Sequence, residues 1–431
     1  MLKIFDSVLW AIATVLLVYS GIYFSFKLKF VQFRFKDMFK NLIKKSDSNI
    51  SAFESLMMVL GGRIGVGSIA GIALSIYLGG VGSIFWIWVI GFLSAPSAFA
   101  ETLLGVKYQT KNNEPYGGPS FYLFKGLNKK GLSKIYSFII IFSYIGGFLS
   151  IQSNTIAISV TDYFDIKPII VGLIIGGLSF FIILGGAKKI SLISKYLVPI
   201  MTFIYVGTSF FIIFKNINLI PSIFLNIVSS AFDFKSLGFG VLGSMVVGIQ
   251  RGIFSNEAGL GTGAIAASLV KTKYPAECGF VQMIGIYITT FLICTSTAIV
   301  ILTSNISNIN VVNGIEMTQL AFINHLGNFG NLIIILSIIL FAFSTILSGY
   351  FDGEASLKSL FPKVKGNALF VLKMVTFLII IFGSVTKATL LWNIVNILTA
   401  LLAIINIYAI LKLDKEVLFE LVRYDKCGKM K

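Results

Sequence analysis

The sequence predicts an all-α membrane protein with about eleven transmembrane helices. Hydrophobic residues make up 56% of its 431 residues, charged residues only 12%, and the mean hydropathy is +0.90. A soluble chain would carry about 25% charge, so the composition excludes an ordinary soluble domain. A helix needs about 20 apolar residues to cross a bilayer. Apolar runs of this kind lie at about residues 5–25, 53–78, 83–107, 135–162, 168–185, 194–215, 238–269, 278–303, 330–351, 367–385 and 388–411.

The charge distribution predicts how the helices are oriented. The net charge is +17, and the connections between the basic segments carry few cations. Because basic segments stay in the cytoplasm, the N-terminus is expected outside and the C-terminus inside the cell membrane. The partner implied by this charge is the lipid bilayer and not nucleic acid. The basic segments are residues 26–50, 107–134, 186–195, 271–277, 352–367 and 412–431.

The first apolar run is interpreted as a retained helix. It is followed by Lys27, Lys29 and Arg34 and not by the small-residue cleavage site of a signal peptide. Aromatic and aliphatic residues then alternate with cations from Lys27 to Lys45, which predicts an amphipathic helix on the inner leaflet, a solvated loop being the alternative. The resulting segments are 1–50 (first helix and basic interfacial segment), 51–235 and 236–412 (two five-helix repeats), and 413–431 (basic cytoplasmic tail).

Two glycine-rich interruptions are the strongest functional signal. Five glycines lie among the eleven residues from Gly61 to Gly71, and each costs about 0.8–1.0 kcal/mol relative to alanine inside a helix. A similar stretch runs from Arg251 to Gly263. Interruptions at corresponding positions of two halves indicate a secondary transporter with inverted repeats, here with one extra N-terminal helix. Close helix packing through small residues is the competing explanation.

The broken helices suggest where charged ligands would bind. The amides of Gly65, Val66 and Gly67 would begin a half-helix and suit a carboxylate. The carbonyls of Gly61 and Ile64, or those of residues 253–255, would suit a cation or an ammonium group. The adjacent hydroxyls of Ser344 and Thr345 either bond to their own helix or supply oxygen ligands to Na⁺.

Five charged residues fall within predicted spans: Arg63, Glu101, Arg251, Glu257 and Lys373. A charge at membrane depth costs several kcal/mol unless it is paired or hydrated, so these residues are candidates for ion coupling. The structural alternatives are pairing of Arg63 with Glu101 and of Arg251 with Glu257. Lys373 can extend its ammonium group to the interface.

The sequence offers no cluster of catalytic groups. The single histidine, His325, lies in a predicted external loop and is expected to be a solvated surface residue. Cys278, Cys294 and Cys427 are too scattered for a disulfide framework or metal site and are expected to be free thiols. An enzyme is therefore disfavoured, as is a channel, and no cofactor is expected beyond a coupling ion.

Several long motifs then point to a family. The motifs are, in chain order, residues 78–88 directly after the first interruption, Tyr116–Pro119, 152–157, 251–259, and Phe341–Thr345 together with Gly353 and Glu354. This chain resembles the alanine or glycine:cation symporter family, also called the sodium:alanine symporters, along nearly its whole length. The resemblance implies a leucine-transporter-like (LeuT-like) fold and sodium- or proton-coupled uptake of small amino acids.

The resemblance also implies roles for individual residues. The substrate carboxylate would bind the amides of the first interruption, already named. Na⁺ would be held by the carbonyls of Gly61 and Ile64 with the hydroxyls of Ser344 and Thr345. The remaining residues of the substrate pocket would be Gln152, Asn154, Phe254, Ser255, Asn256, Thr345 and Gly349.

Two departures from the family pattern, one in the first break and one at Gly349, bear on specificity. Arg63, Val66 and Ser68 stand where the family usually has Thr, Thr and Asn, and arginine at the first position is similar to a branch associated with glutamine or asparagine. Gly349 stands where many members have a large aromatic residue, which implies a larger pocket unless the glycine only allows two helices to approach. The leading hypothesis is Na⁺-coupled uptake of alanine or glycine. Proton coupling and glutamine or asparagine specificity are the alternatives.

Overall fold

The computed structural model describes residues 2–44, 49–111, 115–233, 240–304, 306, 314–364 and 366–428. These residues form a helical bundle, which confirms the all-α prediction. The α-helices are α1 (Leu2–Lys27), α2 (Phe35–Leu42), α3 (Ala52–Arg63), α4 (Ala70–Gly79), α5 (Ser83–Lys107), α6 (Pro119–Phe121), α7 (Lys130–Ile140), α8 (Leu149–Phe164), α9 (Pro168–Ile183), α10 (Gly186–Lys215), α11 (Ile220–Ala231), α12 (Gly240–Asn256), α13 (Thr262–Ala267), α14 (Ala276–Tyr287), α15 (Thr295–Thr303), α16 (Gly314–Leu360), α17 (Gly366–Val385), α18 (Ala388–Lys412) and α19 (Asp414–Arg423).

The bundle has the dimensions of a multi-pass membrane protein. Among the described residues, eight helices are long and apolar enough to cross a bilayer. Large apolar side chains on the outer helices, such as Phe181, Phe203 and Phe382, are exposed, as expected for contact with lipid. The eight helices are Asp6–Lys27, Ser83–Lys107, Lys130–Phe164, Gly186–Lys215, Ala276–Thr303, Gly314–Leu360, Gly366–Val385 and Leu391–Lys412.

The predicted total of eleven spans is larger than the eight helices found among the described residues, because three predicted spans are interrupted or short. The predicted spans 53–78 and 238–269 are each divided into two shorter helices, and α9 has 16 residues. The predicted span 83–107 coincides with α5. The predicted boundary between the repeats, at 235/236, lies outside the described residues.

Three parts of the helix prediction were wrong. The span predicted at 194–215 begins at Gly186, and α11 was not predicted. The range of α16 consists of two helices that meet at Gly327, where φ is 61°. The span predicted at 330–351 lies within the second of them, whereas the first, which begins at Gly314, was not predicted. Polar residues in the first part of α16 lower its hydropathy, which explains the loop prediction for His325. That side chain is half-buried, with Nε2 3.1 Å from Thr303 Oγ1.

Both terminal segments fold against the bundle. The predicted amphipathic segment contains α2, in which Met38 is buried while Phe35 and Phe39 stay exposed between lysines. The C-terminal segment forms α19, where Asp414 pairs with Lys27 at the end of α1. The predicted tail is therefore docked on the bundle in its first part. The side chain of Cys427 lies outside the described residues, whereas Cys278 and Cys294 are free thiols.

The interrupted helices lie in the interior. The pair α3 and α4 packs against α10 and α16, while α12 packs against α4 and α5. Both interruptions are buried, which protects their unpaired backbone groups from lipid.

Candidate substrate and ion site at the helix breaks

The first break is a short irregular link between α3 and α4. The amide of Ile64 donates to Leu60 O at 2.7 Å and closes the last turn of α3. Gly65 is extended, and a single 3₁₀ turn, Val66–Ser68, leads towards α4. The break predicted from the glycines is thereby confirmed.

The second break follows α12 and has left-handed backbone. Gly259 and Gly261 have φ values of 84° and 92°, which glycine adopts without steric cost. Glu257 also has a positive φ, 53°, and such a conformation costs a residue with a side chain about 1–2 kcal/mol. Asn256 Oδ1 accepts from the amide of Ala258 at 3.0 Å and holds the chain in this turn.

The two breaks contact each other directly. Ser68 Oγ and Ser255 Oγ share a hydrogen bond of 2.7 Å, and Ser255 Oγ lies 3.0 Å from Cys294 Sγ. Phe254 covers Gly67 so closely that a methyl group there would lie 2.9 Å from its ring. Residues that are 187 positions apart in the sequence thus come into contact where the two breaks meet.

The hydroxyls of Ser344 and Thr345 converge on the end of α3. They donate to Gly61 O at 3.0 and 2.9 Å, and each also lies within 3.0 Å of Phe341 O on its own helix. The bond of each hydroxyl to its own helix is therefore present, and both hydroxyls also reach the end of the first break's helix. Ile64 is buried beside the break, but no described contact joins it to either hydroxyl.

The candidate carboxylate site is lined by backbone amides and two side chains. Val66 N donates to Gln152 Oε1 at 3.2 Å, so one predicted amide and one predicted pocket residue meet. A methyl group on Gly65 would lie 2.5 Å from Thr345 Oγ1 and 3.3 Å from Gln152 Oε1. Glycine is needed here because the neighbouring oxygens leave no room for a side chain.

Two other predicted pocket residues bond to helices away from the first break. Asn154 donates to the carbonyls of Thr386 and Gly383 at 2.6 and 3.3 Å. Asn256 donates to Thr290 Oγ1 at 3.3 Å. The described hydrogen bonds of Asn154 and Asn256 join segments of the protein to each other, and neither side chain is shown facing a ligand site.

The space beside Gly349 is occupied. A methyl group at this position would lie 2.8 Å from Leu149 Cδ1 and 3.3 Å from Tyr144 Cδ1. Leu149 and Tyr144 fill the space that a large side chain would take, which favours the alternative that Gly349 allows two helices to approach.

An aromatic column that the sequence analysis missed passes through the site. Tyr144 stacks on Phe148 at 4.5 Å between ring centroids, Phe148 stacks on Phe254 at 4.9 Å, and Phe254 contacts Trp392 at 4.9 Å. The guanidinium of Arg251 lies over Trp392 at 5.2 Å. The four-residue spacing of Tyr144 and Phe148 was a usable signal for a shared helix face.

Neither proposed pair of buried charges forms an ion pair within 4.0 Å among the described residues. Arg63 donates from Nη1 to Gln282 O at 3.1 Å. Its Nε and Nη2 have no hydrogen-bond partner among the described residues. Arg251 likewise lacks partners for Nε and Nη1. Lys373 is partly exposed on α17, as expected for a side chain that reaches the interface.

The two glutamates predicted at membrane depth, Glu101 and Glu257, accept hydrogen bonds from uncharged groups. Glu257 accepts from Tyr144 Oη at 2.9 Å and from Thr262 Oγ1 at 2.8 Å, and it lies beside Gly62 of the first break. Glu101 accepts from Asn406 Nδ2 at 2.6 Å. Both carboxyl groups thus stabilise the surroundings of the breaks.

Two interrupted helices that meet inside an apolar bundle, with backbone amides and hydroxyls at the meeting point, define a secondary transporter. The whole chain, residues 1–431, matches the model of the sodium:alanine symporter family. The chain belongs to this family. Its members are transporters and not enzymes.

Three relatives illustrate the family. The chain is 36% identical over 435 residues to the "Probable sodium/glutamine symporter GlnT" of Bacillus subtilis, covering 98% of this chain and 91% of the relative. It is 35% identical over 434 residues to the "Sodium/alanine symporter AgcS" of Methanococcus maripaludis, covering 96% and 94%. It is 33% identical over 407 residues to the "Amino-acid carrier protein AlsT" of Bacillus subtilis, covering 93% and 87%.

Proposed function

We propose that this protein takes up a small neutral amino acid, alanine or glycine, together with Na⁺ by alternating access. The observation that carries the proposal is the convergence of Ser344 and Thr345 on Gly61 O. Hydroxyl and carbonyl oxygens are hard ligands, and the end of α3 adds the negative end of a helix dipole. Na⁺ would bind among these oxygens with the carbonyl of Ile64.

The proposal includes the binding mode of the amino acid. The carboxylate would accept from the amides of Gly65, Val66 and Gly67, and Gln152 would turn its amide group towards it. The ammonium group would lie against carbonyls at the end of α12, where Phe254 and Ser255 complete the pocket. The proposed architecture is LeuT-like, with eleven spans, an external N-terminus and a cytoplasmic C-terminus.

Glutamine or asparagine is the second candidate substrate. It is supported by Arg63 in the first break and by the similarity to a relative named as a sodium/glutamine symporter. Proton coupling is the alternative for the ion, because Arg63 is two positions from Gly61 in the chain, although its guanidinium donates to Gln282 O.

The experiment is uptake into proteoliposomes of labelled alanine, glycine, glutamine and asparagine under imposed gradients. An inward Na⁺ gradient should drive accumulation, and each transported charge should gain about 2.3 kcal/mol per 100 mV of inside-negative potential. Accumulation driven by a pH gradient alone would favour proton coupling. Downhill leakage that is indifferent to both gradients would refute the symporter.

A further inference from the structure

A buried arginine beside the proposed site has unused hydrogen-bonding capacity. Arg251 lies on α12 and is only 6% exposed, yet Nε and Nη1 have no hydrogen-bond partner among the described residues. Leaving a buried charged donor unsatisfied is costly. The planar fork of a guanidinium matches a carboxylate, which can accept two of its N–H groups at once. The position therefore suits a carboxylate ligand.

The stacking around Arg251 connects it to the first break. Its guanidinium lies 5.2 Å from the ring centre of Trp392, and Trp392 lies 4.9 Å from Phe254. Phe254 in turn covers Gly67. A cation–π contact of this kind holds the guanidinium over the indole. Nε and Nη1 of Arg251 remain without a hydrogen-bond partner among the described residues. A carboxylate bound to these two atoms would lie at the end of a continuous aromatic surface that leads to the break.

An acidic side chain lies on the neighbouring helix. Asp6 is on α1, which packs against α12, and its Oδ1 is buried without a hydrogen-bond partner among the described residues. Asp6 is the acidic group whose charge acts on Arg251. No ion pair within 4.0 Å joins the two within the part of the chain that the structure describes. Two opposite charges thus lie on facing helices, apart from each other, and each has an unused polar atom.

We propose that Arg251 and Asp6 form a second, outer subsite for the substrate, one that receives a zwitterionic α-amino acid before it reaches the helix breaks. Arg251 binds the carboxylate, and Asp6 attracts the ammonium group. Asp6 lies near the start of α1, and Arg251 lies on α12 five residues before this helix ends at the second break. The starts of both helices are expected to be external, so Arg251 lies on the stretch of α12 that leads from the outside to the break. The inference rests on the proposed function, since the ligand is the transported amino acid.

The test measures initial uptake of L-alanine and L-glutamine by the full chain in proteoliposomes. Arg251→Gln should raise KM about tenfold or more while changing kcat much less, because the central site is intact. Asp6→Asn should raise KM by a smaller factor. Arg423→Gln is the matched control, because Arg423 lies on α19 with a 42% exposed side chain, and it should leave KM unchanged.

A second measurement identifies the recognised group. Propionate, which has the carboxylate without the ammonium group, should inhibit uptake by the parent and lose that inhibition in Arg251→Gln. If Arg251→Gln does not yield monodisperse protein, Asp6→Asn carries the test, since this side chain lies near the start of α1 and is partly exposed.

Two results would overturn the subsite. One is an unchanged KM in Arg251→Gln and Asp6→Asn. The other is recovery of transport in the charge-swapped double variant Asp6→Arg with Arg251→Asp, which would mean that the two side chains only pair with each other. Failure of the parent to take up either amino acid would instead refute the proposed function, and the subsite with it.

Discussion

Replacing Ser344 and Thr345 together by alanine tests the proposed ion site most directly. Each hydroxyl has one proton and lies within hydrogen-bond distance of both Gly61 O and Phe341 O. When the proton points to Phe341 O, the oxygen lone pairs are free to face a cation near Gly61. The double substitution removes two oxygen ligands and leaves the backbone carbonyl in place.

The structure gives the expected size of the effect. A hydrogen bond to a charged group contributes about 1.5–3 kcal/mol, and loss of an oxygen ligand from Na⁺ is an electrostatic change of the same kind. Because about 1.4 kcal/mol corresponds to tenfold in affinity, each lost hydroxyl should raise the half-maximal Na⁺ concentration at least about tenfold. The double variant should exceed either single variant.

The assay is the Na⁺ dependence of uptake in proteoliposomes at matched protein content. Thr345→Ser keeps the hydroxyl and should stay close to the parent. Ser337→Ala is the matched control, because Ser337 is buried on the same helix and its described hydrogen bond is to Ile333 O. Equal Na⁺ dependence in the double alanine variant and the parent would remove this pair from the ion site.

Three further substitutions test the packing around the breaks. Gly65→Ala should reduce uptake at least about tenfold, because the added methyl group would lie 2.5 Å from the hydroxyl oxygen of Thr345. Gly71→Ala is the control and should retain uptake, since a methyl group there would have nothing within 4 Å. Equal uptake by the two variants would contradict this reasoning. Gly349→Trp should lower protein yield and uptake of every substrate together, and a well-folded variant that loses only glutamine uptake would revive the larger-pocket interpretation. Tyr144→Phe removes a 2.9 Å hydrogen bond to Glu257 and should destabilise the protein by about 1–3 kcal/mol; an unchanged Tm in detergent would contradict it.

The breaks could be predicted from sequence because their cause is local. Several glycines in a short apolar stretch weaken a helix wherever it lies, and the left-handed residues Gly259 and Gly261 need glycine for steric reasons alone. The convergence of Ser344 and Thr345 on Gly61 came from the family resemblance, since periodicity contains no information about which helix faces which.

The contacts that the sequence missed are set by tertiary packing. Asn406 donates to Glu101 across 305 positions, and no local pattern indicates that partner. Gly349 could not be assigned to a pocket or to a helix contact without knowing that Tyr144 lies opposite. The first part of α16 was missed because Glu316 and His325 lower its hydropathy, although packing against neighbouring helices stabilises it.

The position of Trp392 gives the molecule an intrinsic optical reporter. This indole on α18 contacts both the guanidinium of Arg251 and the ring of Phe254 on α12, so any movement of α12 relative to α18 changes its electrostatic surroundings. The chain has four tryptophans, and replacing Trp10, Trp86 and Trp88 by phenylalanine leaves a single emitter. Its fluorescence would follow the opening and closing of the bundle in real time, without attached dyes and without radioactive substrate.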